Sequence, residues 1–303
     1  MKCLIDNTEH DNINELHAHL KKLRVTQEYY YLRYLPRKDL LTGQPIPFKS
    51  YSDYIQSDFI LKNNLKKYCT QNPTEGIKWG INFLKKRAAE KKTIRAFHHV
   101  ELRSLFCPTV RYFEEYGDYN KICKEIGLEI PFNYKEGLIF EHNLVDPIIN
   151  CDTREQKLIN FKTVKTKIQK IDYGDYSINS PYDSGIYIEK KSLGDFINSF
   201  GKDIDRLRRE LDRCKRNNHY MVILVQSNMS EALSFNYSYE GRYARATPEF
   251  VFGNIRKLLH SYDNLQFLFI DKIRSEEIVL KLFSLGKYVR TNDLQFFYET
   301  KKL

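Results

Sequence analysis

Two carboxylates and a lysine stand in one short stretch of the chain where they could act together on a phosphate ester. Residues 185–191 are β-branched and aromatic and follow a turn-like run of Ser, Pro, Asp and Gly, which predicts a strand. Because alternate side chains of a strand share a face, Glu189 and Lys191 point one way while the isoleucines face the core. Asp175 precedes the turn, so a hairpin would bring its carboxylate beside Glu189.

This set of side chains suits metal-dependent hydrolysis. Paired carboxylates bind hard cations such as Mg²⁺ or Mn²⁺, which prefer oxygen ligands. Such a cation lowers the pKa of a bound water and neutralises negative charge on a phosphate. Lys191 would orient the water or stabilise the additional negative charge. The stretch therefore predicts a metal-dependent phosphodiesterase.

Each part of the pattern is common by itself, and only the combination is informative. Glu-Lys-Lys also occurs at residues 90–92, in a segment that is predicted to be helical. Tyr-Gly-Asp-Tyr occurs twice, at residues 116–119 and 173–176. Only the second copy is followed by a turn, a strand, Glu-Lys-Lys and then Asp195. A catalytic role is therefore predicted for the second copy alone.

The combination resembles the nuclease domain of the XPF-type structure-specific DNA endonucleases. That family's signature is Gly-Asp, a variable gap, and then Glu-Arg-Lys-x-x-x-Asp. Here Gly174-Asp175 is followed by Glu-Lys-Lys-Ser-Leu-Gly-Asp at residues 189–195. The family's upstream Asp-x-Arg-Glu is present at residues 152–155. One departure is Lys190, which stands where the family usually has Arg.

The likeness continues beyond the signature, from about residue 148 to about residue 286. The family places a helix with Arg-Leu and then a buried strand after the motif, and Arg206-Leu207 and residues 221–225 match these elements. The resemblance implies a restriction-endonuclease-like core that works as a homodimer through the nuclease domain.

The resemblance also implies a role for each member of the motif. Asp175 and Glu189 would be metal ligands, joined by the backbone carbonyl of Lys190, and Lys191 would be the catalytic lysine. Asp152 would complete the acidic, metal-binding cluster.

The remaining motif residues have less direct roles. Arg154 and Glu155 would hold the catalytic site together. Asp195 would be a catalytic residue, but Ser192-x-x-Asp195 also forms a capping box before an apolar periodic run, so a purely structural role stays open. Basic residues of the following helix would contact DNA, namely Arg206, Arg208 and Arg209.

Composition supports a polyanionic partner. The 303-residue chain has a formal net charge of +10, which fits DNA. Its six cysteines are scattered singly, which predicts a reducing compartment and no disulfide framework. No apolar stretch approaches a membrane span, and the N-terminus lacks the apolar core of a signal peptide. We therefore expect an intracellular, cytoplasmic protein with no membrane partner.

The chain is predicted to have three parts. Residues 1–50 form a small N-terminal module, residues 51–145 a helical DNA-binding region, and residues 146–303 the nuclease domain. Strands alternate with helices in the third part, which predicts an α/β fold with a mostly parallel, mixed central sheet flanked by helices on both faces.

The N-terminal module resembles the prokaryotic zinc finger of the Ros/MucR type. Cys3-x-x-Asp6 precedes a helix that bears His19, and these three residues are the candidate zinc ligands, with His17 as a substitute. A structural zinc site needs four ligands, and the second histidine expected on the helix is missing. Zinc binding and a degenerate, metal-free finger both stay open.

Residues 99–128 resemble the small helical DNA-binding repeats found beside homing endonucleases. Gly117 would end one helix and Asp118 would cap the next, which is the skeleton of a helix-turn-helix. Arg111 and Lys121 are the candidate DNA contacts of this repeat.

The polar and aromatic stretch 227–245 predicts a long loop. Loops of this length are often functional. The sequence leaves two alternatives open for this loop: contact with DNA, or no function.

The leading functional hypothesis is a Mg²⁺- or Mn²⁺-dependent endonuclease that cuts branched, flap or junction DNA, in repair or recombination. One alternative is a non-catalytic DNA-binding or scaffolding subunit with a nuclease-like fold. Another is a sequence-specific homing or restriction-type nuclease, which the predicted repeat favours. A phage or mobile element is the expected source, because small multi-module nucleases are common there.

Overall fold

The structure is a computed structural model that describes residues 1–38, 45–51, 54, 65, 68–105, 108–201, 204–234 and 247–303. The chain divides into two compact units, residues 1–79 and 80–303. The predicted three-part organisation, with boundaries after residues 50 and 145, stays a prediction.

The described part of the first unit is built on helices α1 (Ile13–Lys22) and α2 (Gln27–Tyr34). Asn12 begins α1 and Thr26 begins α2, because each side chain accepts a hydrogen bond from a backbone N–H of the first turn. Leucines of α1 and tyrosines of α2 meet in a small core that also holds a cysteine; its fully buried members are Cys3, Leu16, Leu20, Tyr30, Tyr31 and Tyr54.

Helices follow along the described chain up to the first strand: α3 (Pro73–Lys91), α4 (His99–Ser104), α5 (Val110–Tyr116) and α6 (Tyr119–Glu125). The predicted helix break at Gly117 is confirmed, since α5 ends there. Asp118 then caps α6 by accepting a hydrogen bond from the N–H of Lys121 at 2.9 Å. The buried Cys123 and Phe113 pack the inner faces of the two helices.

The described residues of the second unit form a six-stranded sheet with the order β2-β1-β3-β4-β5-β6. Its strands are β1 (Ile148–Asp152), β2 (Lys165–Gln169), β3 (Tyr176–Ile178), β4 (Ile186–Lys191), β5 (Tyr220–Val225) and β6 (Leu265–Phe269). Only β3 is antiparallel to its two neighbours, β1 and β4; the other pairings are parallel. The prediction of a mostly parallel, mixed sheet is confirmed.

Helices surround this sheet in the described chain: α7 (Leu193–Gly201), α8 (Ile204–Arg216), α9 (Met229–Ser234), α10 (Pro248–Ser261), α11 (Ser275–Leu285) and α12 (Leu294–Glu299). In β5, Met221 and Ile223 join the main core with residues of these helices. Val222 and Leu224 face the other way and are also fully buried. A strand buried on both faces is typical of a parallel sheet covered by helices, and it explains the continuous apolar run.

The C-terminal residues, in which the sequence shows no motif, have a structural role. Asp293 caps α12 and accepts a hydrogen bond from the N–H of His99 at 2.7 Å. His99 also pairs with Glu299 at 2.9 Å. The end of the chain is therefore attached to α4, far from it in sequence. None of the helices in the described ranges is both long and apolar enough to cross a bilayer.

Candidate active site

Three of the predicted acidic residues meet where β1, β3 and β4 lie side by side. Asp152 ends β1, Asp175 comes directly before β3, and Glu189 lies in β4. The N–H of Asp152 donates to the carbonyl oxygen of Asp175 at 2.9 Å, and the N–H of Asp175 donates to that of Ile188 at 2.8 Å. The antiparallel pairing of β3 with β1 and β4 thus brings the three acidic residues to the same end of these neighbouring strands.

Gly174 gives the turn before β3 its shape. Its φ is +62°, in the left-handed region, and an added Cβ would lie 2.8 Å from the carbonyl oxygen of Ile188. Its N–H donates a hydrogen bond to Oε1 of Glu210 on α8, at 3.0 Å. A glycine is required here because a side chain would meet the backbone of β4.

The carboxylate of Asp175 faces the backbone of β4. Its Oδ2 accepts a hydrogen bond from the N–H of Lys190 at 2.7 Å. Burial and the neighbouring charge of Glu189 raise the pKa of Asp175 to about 8. The side chain of Lys190 turns away and pairs with Glu155 at 3.3 Å. The backbone N–H of Lys190 thus contacts Asp175 while its side chain contacts Glu155, and the role of its backbone carbonyl as a metal ligand stays a prediction.

Glu189 and Lys191 form an ion pair on the same face of β4, as the alternation of side chains predicts. Burial raises the pKa of Glu189, and Lys191 opposes this shift only in part. Burial lowers the pKa of Lys191, but the charge of Glu189 and the hydrogen bond to it outweigh burial, so the net shift is upward. Lys191 is therefore a protonated donor next to two buried carboxyl groups.

Asp152 is held by an arginine fork. Its two carboxylate oxygens accept hydrogen bonds from Nε and Nη2 of Arg154, at 2.6 and 3.1 Å. The N–H of Ile171 donates to the same carboxylate at 3.0 Å. Burial raises the pKa of Asp152, yet these hydrogen bonds outweigh it and leave the pKa below its usual range. Arg154 neutralises the anionic Asp152, whereas no arginine among the described residues forms an ion pair with Asp175 or Glu189.

These side chains line a cavity of about 390 Å³. It is bounded by the carboxylates of the sheet on one side and by a basic face of α8 on the other. Its lining residues are Asp152, Arg154, Glu155, Gly174, Asp175, Glu189, Lys191, Arg206, Arg209, Glu210 and Arg213. An acidic floor opposite an arginine row can hold a cation and a phosphate group at the same time.

Other predicted residues lie outside this lining. Asp195 is exposed; its N–H donates to Oγ of Ser192 at 3.2 Å, which caps the helix, and its Oδ2 accepts from the same Oγ at 2.6 Å. Arg208 pairs with Asp205 at 3.0 Å on the outer side of α8. The predicted DNA contacts of the helical repeat are also exposed and lie on α5 and α6. The catalytic role of Asp195 and these DNA contacts stay predictions.

Two residues that line the cavity were not predicted as site residues: Glu210 and Arg213. They lie four and seven positions after Arg206, so they share its face of a helix. The amphipathic pattern of α8, with Leu207 and Leu211 buried, could have identified that face. The predicted loop over residues 227–245 is wrong for residues 229–234, which form α9, because Asn228 accepts a hydrogen bond from the N–H of Glu231 at 2.9 Å and begins a helix. Residues 235–245 lie outside the described residues.

The predicted zinc ligands also come together, in the first unit. One ligand atom from each of Cys3, Asp6 and His19 lies within 4.8 Å of the others. Nε2 of His19 is 2.7 Å from Oδ2 of Asp6. His17, the predicted substitute, instead lies 3.0 Å from the hydroxyl of Tyr31.

The chain is similar to a known family and to solved structures. The family model described as the ERCC4 domain matches residues 151–280. XPF from Aeropyrum pernix is similar with 20% identity, over 47% of this chain and 68% of that chain, at a TM-score of 0.33. The same protein in complex with DNA is similar with 17% identity, over 46% and 63%, at a TM-score of 0.34. No curated protein matches the chain. All residues of the cavity lie inside the range that matches the ERCC4 domain, and this match supports the XPF-type nuclease domain that the motif predicts there.

Proposed function

We propose that the chain is a metal-dependent DNA endonuclease whose active site is the cavity between β4 and α8. The observation that carries the proposal is the pair of buried carboxyl groups, Asp175 and Glu189, beside a protonated Lys191 and opposite an arginine row. The match of residues 151–280 to the ERCC4 domain supports the same reaction class.

The donor set fits a divalent cation. Two neighbouring carboxyl groups with raised pKa repel each other when both ionise, and one lysine does not balance both charges. Asp175, Glu189 and the backbone carbonyl of Lys190 would hold Mg²⁺ or Mn²⁺ through oxygen atoms. When bound, the cation lowers the pKa of water and neutralises charge on the phosphate.

The chain's own residues supply the rest of the site. The protonated Lys191 donates hydrogen bonds to the oxygen that attacks or to the phosphate oxygen that gains charge. Arg206, Arg209 and Arg213 bind the DNA phosphates that flank the cleaved bond. Arg154 holds Asp152 in place, which keeps the end of β1 beside Asp175.

The preference for flaps, forks or junctions rests on the XPF-type resemblance, as does a role in repair or recombination. The formal net charge of +10 supports DNA as the partner. The resemblance also favours a homodimer, and light scattering at micromolar concentration tests it. The N-terminal finger, the helical repeat, the phage origin and the intracellular location stay predictions.

The test is cleavage of end-labelled duplex, single-strand, flap, fork and four-way-junction DNA with Mg²⁺, with Mn²⁺ and with chelator. Asp175→Asn is compared with Asp205→Asn, which changes an exposed aspartate outside the cavity. We expect metal-dependent cutting that is lost in the first variant and kept in the second. Discrete cuts in plasmid DNA that are independent of branching would favour the sequence-specific alternative. DNA binding without any cutting by the wild-type protein would favour the non-catalytic subunit.

A further inference from the structure

We propose that three lysines on and next to the outer strand β2, Lys165, Lys167 and Lys170, bind the phosphate backbone of DNA beside the active-site cavity. This lysine edge holds the DNA arm that leaves the cavity on the side away from α8. The inference rests on the proposed nuclease function, and it adds a second DNA contact to the arginine row that lines the cavity.

The segment that contains β2 is uniformly basic. Residues 156–171 include five lysines and no acidic residue. The side chains of the lysine edge are exposed, and no carboxylate in the described part of the chain forms an ion pair with any of the three. Unpaired positive charge gathered along one exposed strand favours a polyanionic partner.

The strand is open to a long ligand. In the sheet of the described residues, β2 is an outermost strand and pairs with β1 alone. The first four of its five residues are exposed, and Ile168 among them is 65% exposed. A strand of this length spans about 17 Å, so a DNA arm can follow it over several phosphates.

Strand register puts the lysines on the face of the sheet that carries the acidic residues. In the parallel pairing of β1 with β2, Lys167 is the partner of Asn150, and Gln169 is the partner of Asp152. Paired residues of neighbouring strands share a face of the sheet, and so do alternate residues of one strand. Lys165 and Lys167 therefore lie on the same face as Asp152.

The same face continues across the sheet to β4. Tyr176 of β3 pairs with both Cys151 and Ile188, so these three side chains share the opposite face. Asp152 and Glu189 each come one position later in their strands and therefore lie on the face of the lysine edge. One face thus extends from the lysines of β2 to the candidate metal ligand of β4.

The C-terminal end of β2 is joined directly to the cavity. Ile171 follows Lys170, and its N–H donates to the carboxylate of Asp152 at 3.0 Å. The carbonyl oxygen of Ile171 accepts a hydrogen bond from Nη2 of Arg154 at 3.3 Å. Lys170 is therefore next to residues that line the cavity, and Lys165 lies farther out along the strand.

Positive charge thus lies on both sides of the acidic cluster. The core of the described chain includes Leu207 and Leu211 of α8 together with Met221 and Ile223 of β5. The strand β2 lies at the other end of the sheet order, beyond β1. DNA whose cleaved phosphate lies at the carboxyl pair therefore meets α8 on one side and the lysine edge on the other. Lysine binds phosphate as a point charge and reads no bases, so this contact is independent of sequence.

The test compares two charge-matched variants of the full-length chain. Lys165→Gln with Lys167→Gln removes two charges from the lysine edge. Lys257→Gln with Lys301→Gln removes two exposed charges outside β2 and outside the cavity lining. Binding of a long-armed DNA fork is measured by fluorescence anisotropy in Ca²⁺ over a series of salt concentrations. We expect the slope of log K against log salt to fall by about two in the first variant and to stay at the wild-type value in the second.

A charge-restoring variant separates charge from side-chain packing. Lys165→Arg with Lys167→Arg keeps both positive charges and is expected to keep the wild-type salt slope. Circular dichroism and gel filtration show whether each variant is folded. If the arginine variant loses as much slope as the glutamine variant, the contact does not depend on charge and the proposal is overturned.

Shortened substrates locate the contact. Each arm of the fork is shortened in turn to the nucleotides next to the branch point. We expect the wild-type chain and the glutamine variant to bind equally well when one particular arm is short, because the lysine edge contacts that arm alone. With the other arms shortened, the difference between the two proteins should remain. A difference that persists whichever arm is short would overturn the proposal.

This inference and the nuclease function fail in different ways. A wild-type chain that binds and cuts DNA, with the same salt slope in the glutamine variant and in its control, overturns the lysine edge alone. Aggregation of the glutamine variant with unchanged DNA binding also overturns it, and assigns the lysines to protection of the open edge of β2 against strand addition. A wild-type chain that binds DNA without cutting contradicts the nuclease function, while a reduced slope in the glutamine variant would still support the contact.

Discussion

The backbone N–H of Gly174 and the side chain of Glu210 are joined by a hydrogen bond of 3.0 Å, which ties the turn before Asp175 to the arginine-bearing helix α8. The turn carries a candidate metal ligand, and the helix carries the candidate phosphate contacts. We therefore expect Glu210 to act as a positioning residue that holds the acidic side of the cavity against the basic side.

Glu210→Ala is expected to lower kcat by about ten- to a hundredfold and to change KM for DNA little, because the turn is no longer held against α8. Glu210→Gln keeps an acceptor for the N–H of Gly174 and should restore most of the activity. Steady-state kinetics on one DNA substrate measure both variants. A Glu210→Ala enzyme with wild-type kcat would show that the hydrogen bond does not position the turn.

Lys191→Ala is expected to lower the cleavage rate by about two to three orders of magnitude, since it removes the protonated donor beside the carboxyl pair. DNA binding, measured by fluorescence anisotropy in Ca²⁺, should be nearly unchanged. Lys215→Ala is the control, because Lys215 forms an exposed ion pair with Asp263 outside the cavity. Equal loss of cleavage in both variants would argue against a catalytic role for Lys191.

Arg209→Ala and Arg213→Ala are expected to weaken DNA binding and to reduce the slope of log K against log salt by about one each, because each removes one phosphate contact. Arg208→Ala is the matched control on the same helix, where it pairs with Asp205 instead of lining the cavity. Salt titrations of DNA binding measure the affinity and the slope for each variant. A larger loss in Arg208→Ala than in the other two would place DNA on the outer face of α8.

Metal affinity is expected to rise with pH. In the metal-free protein, burial and Glu189 raise the pKa of Asp175 to about 8, so this carboxyl holds a proton at neutral pH. A cation must displace that proton, so affinity falls by up to about tenfold for each pH unit below the pKa and levels off above it. Calorimetric titration with Mn²⁺ in buffers of different ionisation enthalpy measures both affinity and proton release. An affinity that does not change between neutral pH and pH values above the pKa would contradict the raised pKa.

Gly174→Ala is expected to destabilise the second unit by about 1–3 kcal/mol, because the new Cβ meets the carbonyl oxygen of Ile188 and φ is positive. Gly137→Ala is the control, since no atom lies within 4 Å of its added Cβ. Urea unfolding of both variants gives the difference in the free energy of unfolding. Equal stability of the two would show that the turn before β3 relaxes at little cost.

The sequence alone determined the features that depend on neighbours along the chain. Alternation in residues 186–191 put Glu189 and Lys191 on one face, and Asp118 was identified as a helix cap. The alternation of strands and helices predicted the mixed sheet, and the pattern of Cys3, Asp6 and His19 predicted three side chains that the structure brings together. These signals are readable because the backbone period and the cap are set by residues only a few positions apart.

The tertiary structure decided which side chains are available to act. In the folded chain Arg154 forms an ion pair with Asp152, and Arg208 forms one with Asp205. It also brought Glu210 to a turn 36 residues away in sequence. Such pairings depend on strand register and on the rotation of a helix about its axis, which are settled by packing against distant elements.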